Sequence, residues 1–173
     1  VPGIQIAHAG RKASVMPPWG GSRPLVPDDA ASGNAPWQVI GPTAEPVAAN
    51  WPAPTPMTEA HIKTVVEAFA AAARRAVKAG FQVLEIHGAH GYLIHSFLSP
   101  LSNKRNDRYG GDRTGRMRFA LEVAEAVRAA WPEDLPLFMR ISSVDGPADG
   151  WTIEDSVALA KELKARGVDV VDC

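Results

Sequence analysis

The residues best suited to chemistry are clustered. His87 and His90 are separated by Gly88 and Ala89, and Tyr92 follows Gly91. Two imidazoles three positions apart, with glycine beside them, can converge where a strand turns into a loop. Such a pair can ligate a metal, because imidazole is a common ligand, with a third ligand from His95, Glu85 or His8. No H-E-x-x-H pattern is present and the ligand count falls short, so no metal site is assigned. The other chemistry open to the pair is hydrogen bonding to a carbonyl or nitro oxygen. That polarises a substrate and stabilises negative charge as it develops in a transition state. Tyr92 can donate a proton, or it can pack as an aromatic with its hydroxyl satisfied.

Two further polar residues lie inside apolar runs. Arg140 sits between Met139 and Ile141. A buried guanidinium is costly unless paired, so it requires an anion, a carbonyl-rich ligand or a carboxylate such as Glu85. Gln5 lies near the small residues Gly3 and Ala7. Its amide offers one acceptor and two donors. It suits a planar heterocycle with mixed donors and acceptors, or neighbouring strands satisfy it.

These residues fall on alternating elements. Val1–His8 reads as a strand. Thr58 is an N-cap for a helix carrying Ile62, Val65, Val66, Phe69, Ala73, Ala76 and Val77, which ends at Gly80. Phe81–His87 is a strand, and a polar loop runs from Gly88 to about Arg113. A helix spans about Thr114 to Trp131, followed by a strand over Pro136–Ser142. Thr152 and Asp155 form a capping box for the next helix, which ends at Gly167. Val168–Cys173 begins another strand. This alternation predicts a parallel sheet with crossover helices.

Each strand has an aliphatic stripe and an opposite stripe that turns polar towards its C-terminal end. The polar stripe holds Gln5, then Glu85 and His87, then Arg140. A doubly wound sheet is covered on both faces and is more uniformly apolar, and no G-x-G-x-x-G follows any strand. A segment of a (β/α)8 barrel, whose site opens at the strand C-termini, fits better.

Eleven of the 15 prolines lie between Pro2 and Pro56. The stretch of about 11–56 therefore excludes long helices and central strands. It reads as an ordered excursion containing Trp19, Trp37 and Trp51, with a short hairpin near Trp37–Ile40. The chain of 173 residues has 18 Lys+Arg, 19 Asp+Glu and a net charge of -1, which gives no footprint for nucleic acid or an anionic membrane. No apolar run approaches a membrane span. The lone Cys173 excludes an internal disulfide and fits a reducing, cytoplasmic compartment. Both ends read as interrupted, and 173 residues are short for a barrel of about 250.

The segment Gly3-Ile4-Gln5-Ile6-Ala7-His8-Ala9-Gly10-Arg11-Lys12 resembles the third strand of the old yellow enzymes, the FMN-dependent ene-reductases. So does the run His87-Gly88-Ala89-His90-Gly91-Tyr92-Leu93, continuing through Phe97-Leu98-Ser99-Pro100, Ser102-Asn103-Lys104-Arg105-Asn106-Asp107 and Tyr109-Gly110-Gly111. Phe138-Met139-Arg140-Ile141-Ser142 resembles the fifth strand. The similarity is greatest to the bacterial branch of xenobiotic reductases and thermophilic-like enzymes.

The resemblance implies an α/β fold, a partial (β/α)8 TIM barrel comprising strands three to six, in one incomplete domain over 1–173. It implies FMN as cofactor and NAD(P)H as hydride donor. Gln5 and Arg140 become ligands of the flavin pyrimidine edge. His87 and His90 hold the substrate oxygen, and Tyr92 is the proton donor to a small activated alkene. The chain departs from the family at Thr114-Gly115-Arg116, where a segment ending Asn-Arg is common, and at Glu45-Pro46. A glycine in a first helical turn weakens it by about 1 kcal/mol, which puts that helix start in question.

The implied absence of two strands on either side predicts a half-barrel with open edges. Such a chain is expected to bind FMN weakly or not at all, and its edges suit association into a homo-oligomer. Other readings are a dienoyl-CoA-reductase-like flavoenzyme, a metal-dependent barrel hydrolase using His87 and His90, and an inactive fragment.

Overall fold

The computed structural model describes every residue from Val1 to Cys173. The aliphatic stripes organise it. Leu84 and Ile86 on one strand, and Leu137, Met139 and Ile141 on the next, are almost wholly buried. They form one contiguous core with Ile62, Phe69, Phe119, Val123, Leu159 and Leu163 from the helices. Each such side chain contributes about 1.5–3 kcal/mol on burial.

The elements in chain order are β1 (Gly3–Ile6), β2 (Ile40–Gly41), β3 (Thr55–Pro56), α1 (Glu59–Lys78), β4 (Val83–Gly88), α2 (Leu93–Leu98), α3 (Arg113–Ala130), β5 (Leu137–Ile141), α4 (Ile153–Ala165) and β6 (Val170–Asp172). The main sheet has the order β1-β4-β5-β6. Every pairing in it is parallel. In register, Gln5 lies beside Glu85 and Glu85 beside Phe138, while His87 lies beside Arg140 and Arg140 beside Asp172. The long helices join the aliphatic face. The polar stripe lies on the other face, where Gln5 is exposed and Glu85 and Arg140 are half-buried.

The caps act as the sequence predicts. Thr58 Oγ1 accepts from the His61 amide at 3.2 Å. Thr152 Oγ1 accepts from the Asp155 amide, and Asp155 Oδ2 accepts from the Thr152 amide at 3.0 Å.

Two expectations need correction. The segment Gly88–Arg113 is not loop throughout, because α2 lies within it and all six of its residues are buried. Six residues are too few to show a helical period, yet Phe97 packs on Phe119 of α3 with ring centroids 4.6 Å apart and the rings tilted by 45°. No hairpin forms near Trp37–Ile40. Ile40–Gly41 instead pairs in parallel with Thr55–Pro56, because the chain between them is long enough to return in the same direction. Two of the excursion's indoles, Trp19 and Trp37, are exposed. Hydrogen bonds hold the excursion. Arg105 Nη1 donates to the Pro42 and Met57 carbonyls at 2.8 and 2.6 Å, and Thr43 Oγ1 donates to the Ser102 carbonyl at 2.6 Å.

Gly115 is a requirement of the α3 start. Asp112 caps the helix by accepting from the Gly115 amide at 2.8 Å. A Cβ at Gly115 would meet the Gly110 carbonyl oxygen at 2.0 Å. The helix gives up propensity there to let the preceding loop close against it. Gly115→Ala is expected to destabilise the protein by about 1–3 kcal/mol, the range for overpacking. A lower urea midpoint at unchanged slope is the measurement; an unchanged midpoint contradicts the contact.

Candidate active site

His87 closes the polar stripe of β4, and the turn Ala89–Tyr92 carries the chain into α2. The turn is tight. His90 has φ +59 and Gly91 φ +72. A left-handed non-glycine residue costs about 1–3 kcal/mol unless its surroundings hold it there. The contacts that hold it come from several elements. The His90 amide donates to Ser142 Oγ, just beyond β5, at 2.9 Å. Lys12 Nζ donates to the His90 carbonyl at 2.6 Å. The Gly91 amide donates to His95 Nδ1 at 2.7 Å, and the Leu93 amide donates to the His8 carbonyl at 3.0 Å. Gly91 also admits Lys12: a Cβ there would meet Nζ at 3.0 Å.

The pinned turn brings the predicted catalytic side chains together. The rings of His87 and His90 lie 5.1 Å apart, centroid to centroid, and are tilted by 42°. Tyr92 meets His87 edge-on, also at 5.1 Å. His87 is buried, whereas His90 is exposed and Tyr92 half-buried. No third histidine, cysteine or carboxylate joins the pair in a metal-ligand grouping.

Gln5 and Arg140 sit on the same polar face, on the strands flanking β4. The carboxylate expected for Arg140 is not Glu85. Glu85 accepts a hydrogen bond from Gln5 Nε2, and Arg140 Nε lies 3.2 Å from Asp172 Oδ2. The register decides this, since Asp172 is the direct neighbour of Arg140 and Glu85 is not. The Asp172 contact is bent, so the buried Arg140 Nε has no directed hydrogen bond, and the buried His87 Nδ1 has none either. Buried polar atoms are normally satisfied; these two, on the polar face, are not.

Sequence reasoning assigned no role to Lys12, Ser142, Asp145 or Asp172, and weighed His95 only as a metal ligand. Asp172 had a signal: it shares a face with Val170 at the end of a predicted parallel strand. Lys12 and Ser142 act through backbone groups of the turn, which no spacing reveals.

Comparison with known proteins decides the family. The model of the NADH:flavin oxidoreductase / NADH oxidase family matches residues 2–173. The chain belongs to this family. It is 48% identical over 170 residues to an NADPH dehydrogenase of Geobacillus thermodenitrificans, covering 98% of this chain and 44% of that protein. Among solved structures, an old yellow enzyme homologue from Zymomonas mobilis superposes with a TM-score of 0.74 at 25% identity, covering 96% of this chain and 45% of that one. A 2-naphthoyl-CoA reductase in complex with 2-naphthoyl-CoA superposes with a TM-score of 0.71 at 32% identity, covering 78% of this chain and 21% of that one. The chain spans less than half the length of the curated relatives it matches. Its fold is accordingly part of the family's (β/α)8 barrel. No helix is long and apolar enough to cross a membrane.

Burial lowers the pKa of His87 below the ordinary 6.5; His90, Arg140 and His95 lower it further, against an opposing pull from Glu85. The unfolded chain therefore binds this proton more readily than the folded one. The resulting contribution to stability is complete above about pH 6.5 and is lost as pH falls from there towards the lower folded value. An NMR titration of the His87 ring is expected to give a midpoint below 6.5; a midpoint at or above it contradicts the burial seen here.

Proposed function

We propose that this chain is the central part of an FMN-dependent oxidoreductase that oxidises NAD(P)H and reduces activated C=C bonds in small enones and nitroalkenes. The observation that carries the reading is the juxtaposition of His87, His90 and Tyr92 at the C-terminal end of β4, where barrels place their chemistry.

The residues present suit a flavin. Gln5 uses its amide NH2 on Glu85 and keeps its oxygen free, while Arg140 and His87 carry buried nitrogens without directed partners. Gln5 and Arg140 would hold the pyrimidine edge, and the Arg140 guanidinium favours negative charge there by Coulomb attraction. Bound FMN supplies hydride exchange between NAD(P)H and the alkene β-carbon.

The chain's own groups do the rest. His87 and His90 donate hydrogen bonds to the substrate carbonyl or nitro oxygen and stabilise the negative charge that gathers on it. The Tyr92 hydroxyl delivers a proton to the α-carbon. Burial of His87 keeps its ring in surroundings where such a bond is worth more than in water. The reaction asks for no nucleic acid or membrane partner, and a cytoplasmic location accords with it.

A second reading, an enzyme of the dienoyl-CoA reductase kind acting on an unsaturated CoA thioester, draws on the 32% identity to 2-naphthoyl-CoA reductase. The 48% identity to an NADPH dehydrogenase favours the first.

The test is NADPH oxidation by the FMN-loaded complete enzyme with 2-cyclohexenone, a nitroalkene or an enoyl-CoA. Tyr92→Phe is expected to lower turnover by about 10²-fold, the low end for a general acid. Replacing both His87 and His90 by Ala should lower kcat/KM for the enone by about 10²–10³-fold. Full enone turnover in the doubly substituted enzyme would sink the reading. Turnover confined to the CoA thioester would favour the second.

A further inference from the structure

His95 lies in α2 below the catalytic turn, 7% exposed, and the chemistry above assigns it no part. One ring nitrogen is hydrogen-bonded and the other lies against a carboxylate. Nδ1 accepts the Gly91 amide at 2.7 Å, so it carries no proton and the ring hydrogen must sit on Nε2. Nε2 lies 2.9 Å from Asp145 Oδ1, in a bent contact.

Asp145 is itself fixed. Its Oδ2 accepts the Ser99 hydroxyl at 2.6 Å and the Trp151 amide at 2.7 Å, and its own amide donates to the Trp151 carbonyl at 2.9 Å. Burial raises its pKa, but the contacts with His95, Ser99 and the Trp151 amide outweigh that and hold it below the ordinary value. A fixed carboxylate beside one imidazole nitrogen favours the tautomer protonated there, and leaves the other nitrogen free to accept. The loop after β5 thus selects, through one ring, the only tautomer that can bind the Gly91 amide. That amide belongs to the turn between His90 and Tyr92.

We propose that His95 is a positioning residue: as the neutral ring protonated on Nε2 and oriented by Asp145, it fixes the Gly91 amide and so sets how tightly His87 and His90 grip an oxygen ligand. The proposal rests on the reading of His87 and His90 as the oxygen-binding pair. The geometry offers no hydrolytic relay. The Ser99 hydroxyl is spent on Asp145, and His95 Nδ1 faces a backbone amide, not a nucleophile.

Two measurements test this. In the protein without substitution, a long-range proton–nitrogen NMR correlation of the His95 ring should show hydrogen on Nε2 and none on Nδ1. A proton on Nδ1 overturns the positioning role, and no variant or ligand is needed to see it. The second measurement is phenol binding to the FMN-loaded complete enzyme, followed by perturbation of the flavin spectrum, since a phenol oxygen mimics an enolate oxygen.

His95→Leu keeps the volume and loses both contacts; it should weaken phenol by about tenfold, within the range for an amide left without its partner. His95→Gln offers an acceptor and a donor on one side chain, and should stay within about threefold of the unsubstituted enzyme, less than one ordinary hydrogen bond. Equal weakening by both variants, or by neither, overturns the proposal. Phenol affinity that survives His87→Ala sinks the reading of the pair and the ligand half of the proposal with it. The ring tautomer reports separately on whether His95 holds the turn.

Discussion

A non-glycine residue in the left-handed region is the constraint around which this structure is arranged. His90 adopts φ +59, a conformation held only if its surroundings over-determine it. The surroundings come from far apart in sequence: Lys12 after β1, Ser142 after β5 and His95 in α2 all reach the same few backbone atoms. The parallel sheet makes this possible. Because β1, β4 and β5 run side by side in the same direction, their C-terminal ends lie together, and groups following each strand converge. The His87–His90–Tyr92 cluster is thus a product of sheet direction and of one strained turn.

The two faces of the sheet divide the work. The aliphatic stripe, with Leu84, Ile86, Leu137 and Met139, provides the burial that holds the helices. The opposite stripe carries most of the polar chemistry. There Gln5 pairs with Glu85, and Arg140 sits beside Asp172 without a well-directed bond. Incomplete satisfaction of this kind costs stability. It accords with the flavin-holding role proposed for Gln5 and Arg140.

Much of the fold was legible in the sequence because its signals are periodic. The alternation in 137–141 and the helical spacing in 59–78 each specify one element and one buried face. The caps at Thr58 and Thr152 were equally local. What was not legible had no period or depended on distant residues. Six-residue α2 is too short to show a repeat, and the parallel pairing of Ile40–Gly41 with Thr55–Pro56 depends on where a long connection returns. In the site, His87, His90 and Tyr92 could be found because their side chains are close in sequence. The contacts that hold them use the backbone of the turn, and backbone hydrogen bonds leave little trace in residue types. Gly115 shows the same limit: it reads as a flaw in a helix until the Gly110 carbonyl against it is seen.

The placement of the indoles gives the molecule two extreme optical populations, with half-buried Trp51 between them. Trp131 and Trp151 are buried in the core, and Trp131 Nε1 donates to the Pro136 carbonyl while Trp151 Nε1 donates to Ser156. Trp19 and Trp37 stand in solvent on the proline-rich excursion. A water-soluble quencher such as iodide therefore reaches the second set long before the first. The emission that survives quenching reports mainly on the sheet and its helices, and the emission removed most readily reports on the excursion. One spectrum can thus follow the loosening of the long loop separately from the melting of the barrel segment that carries the site.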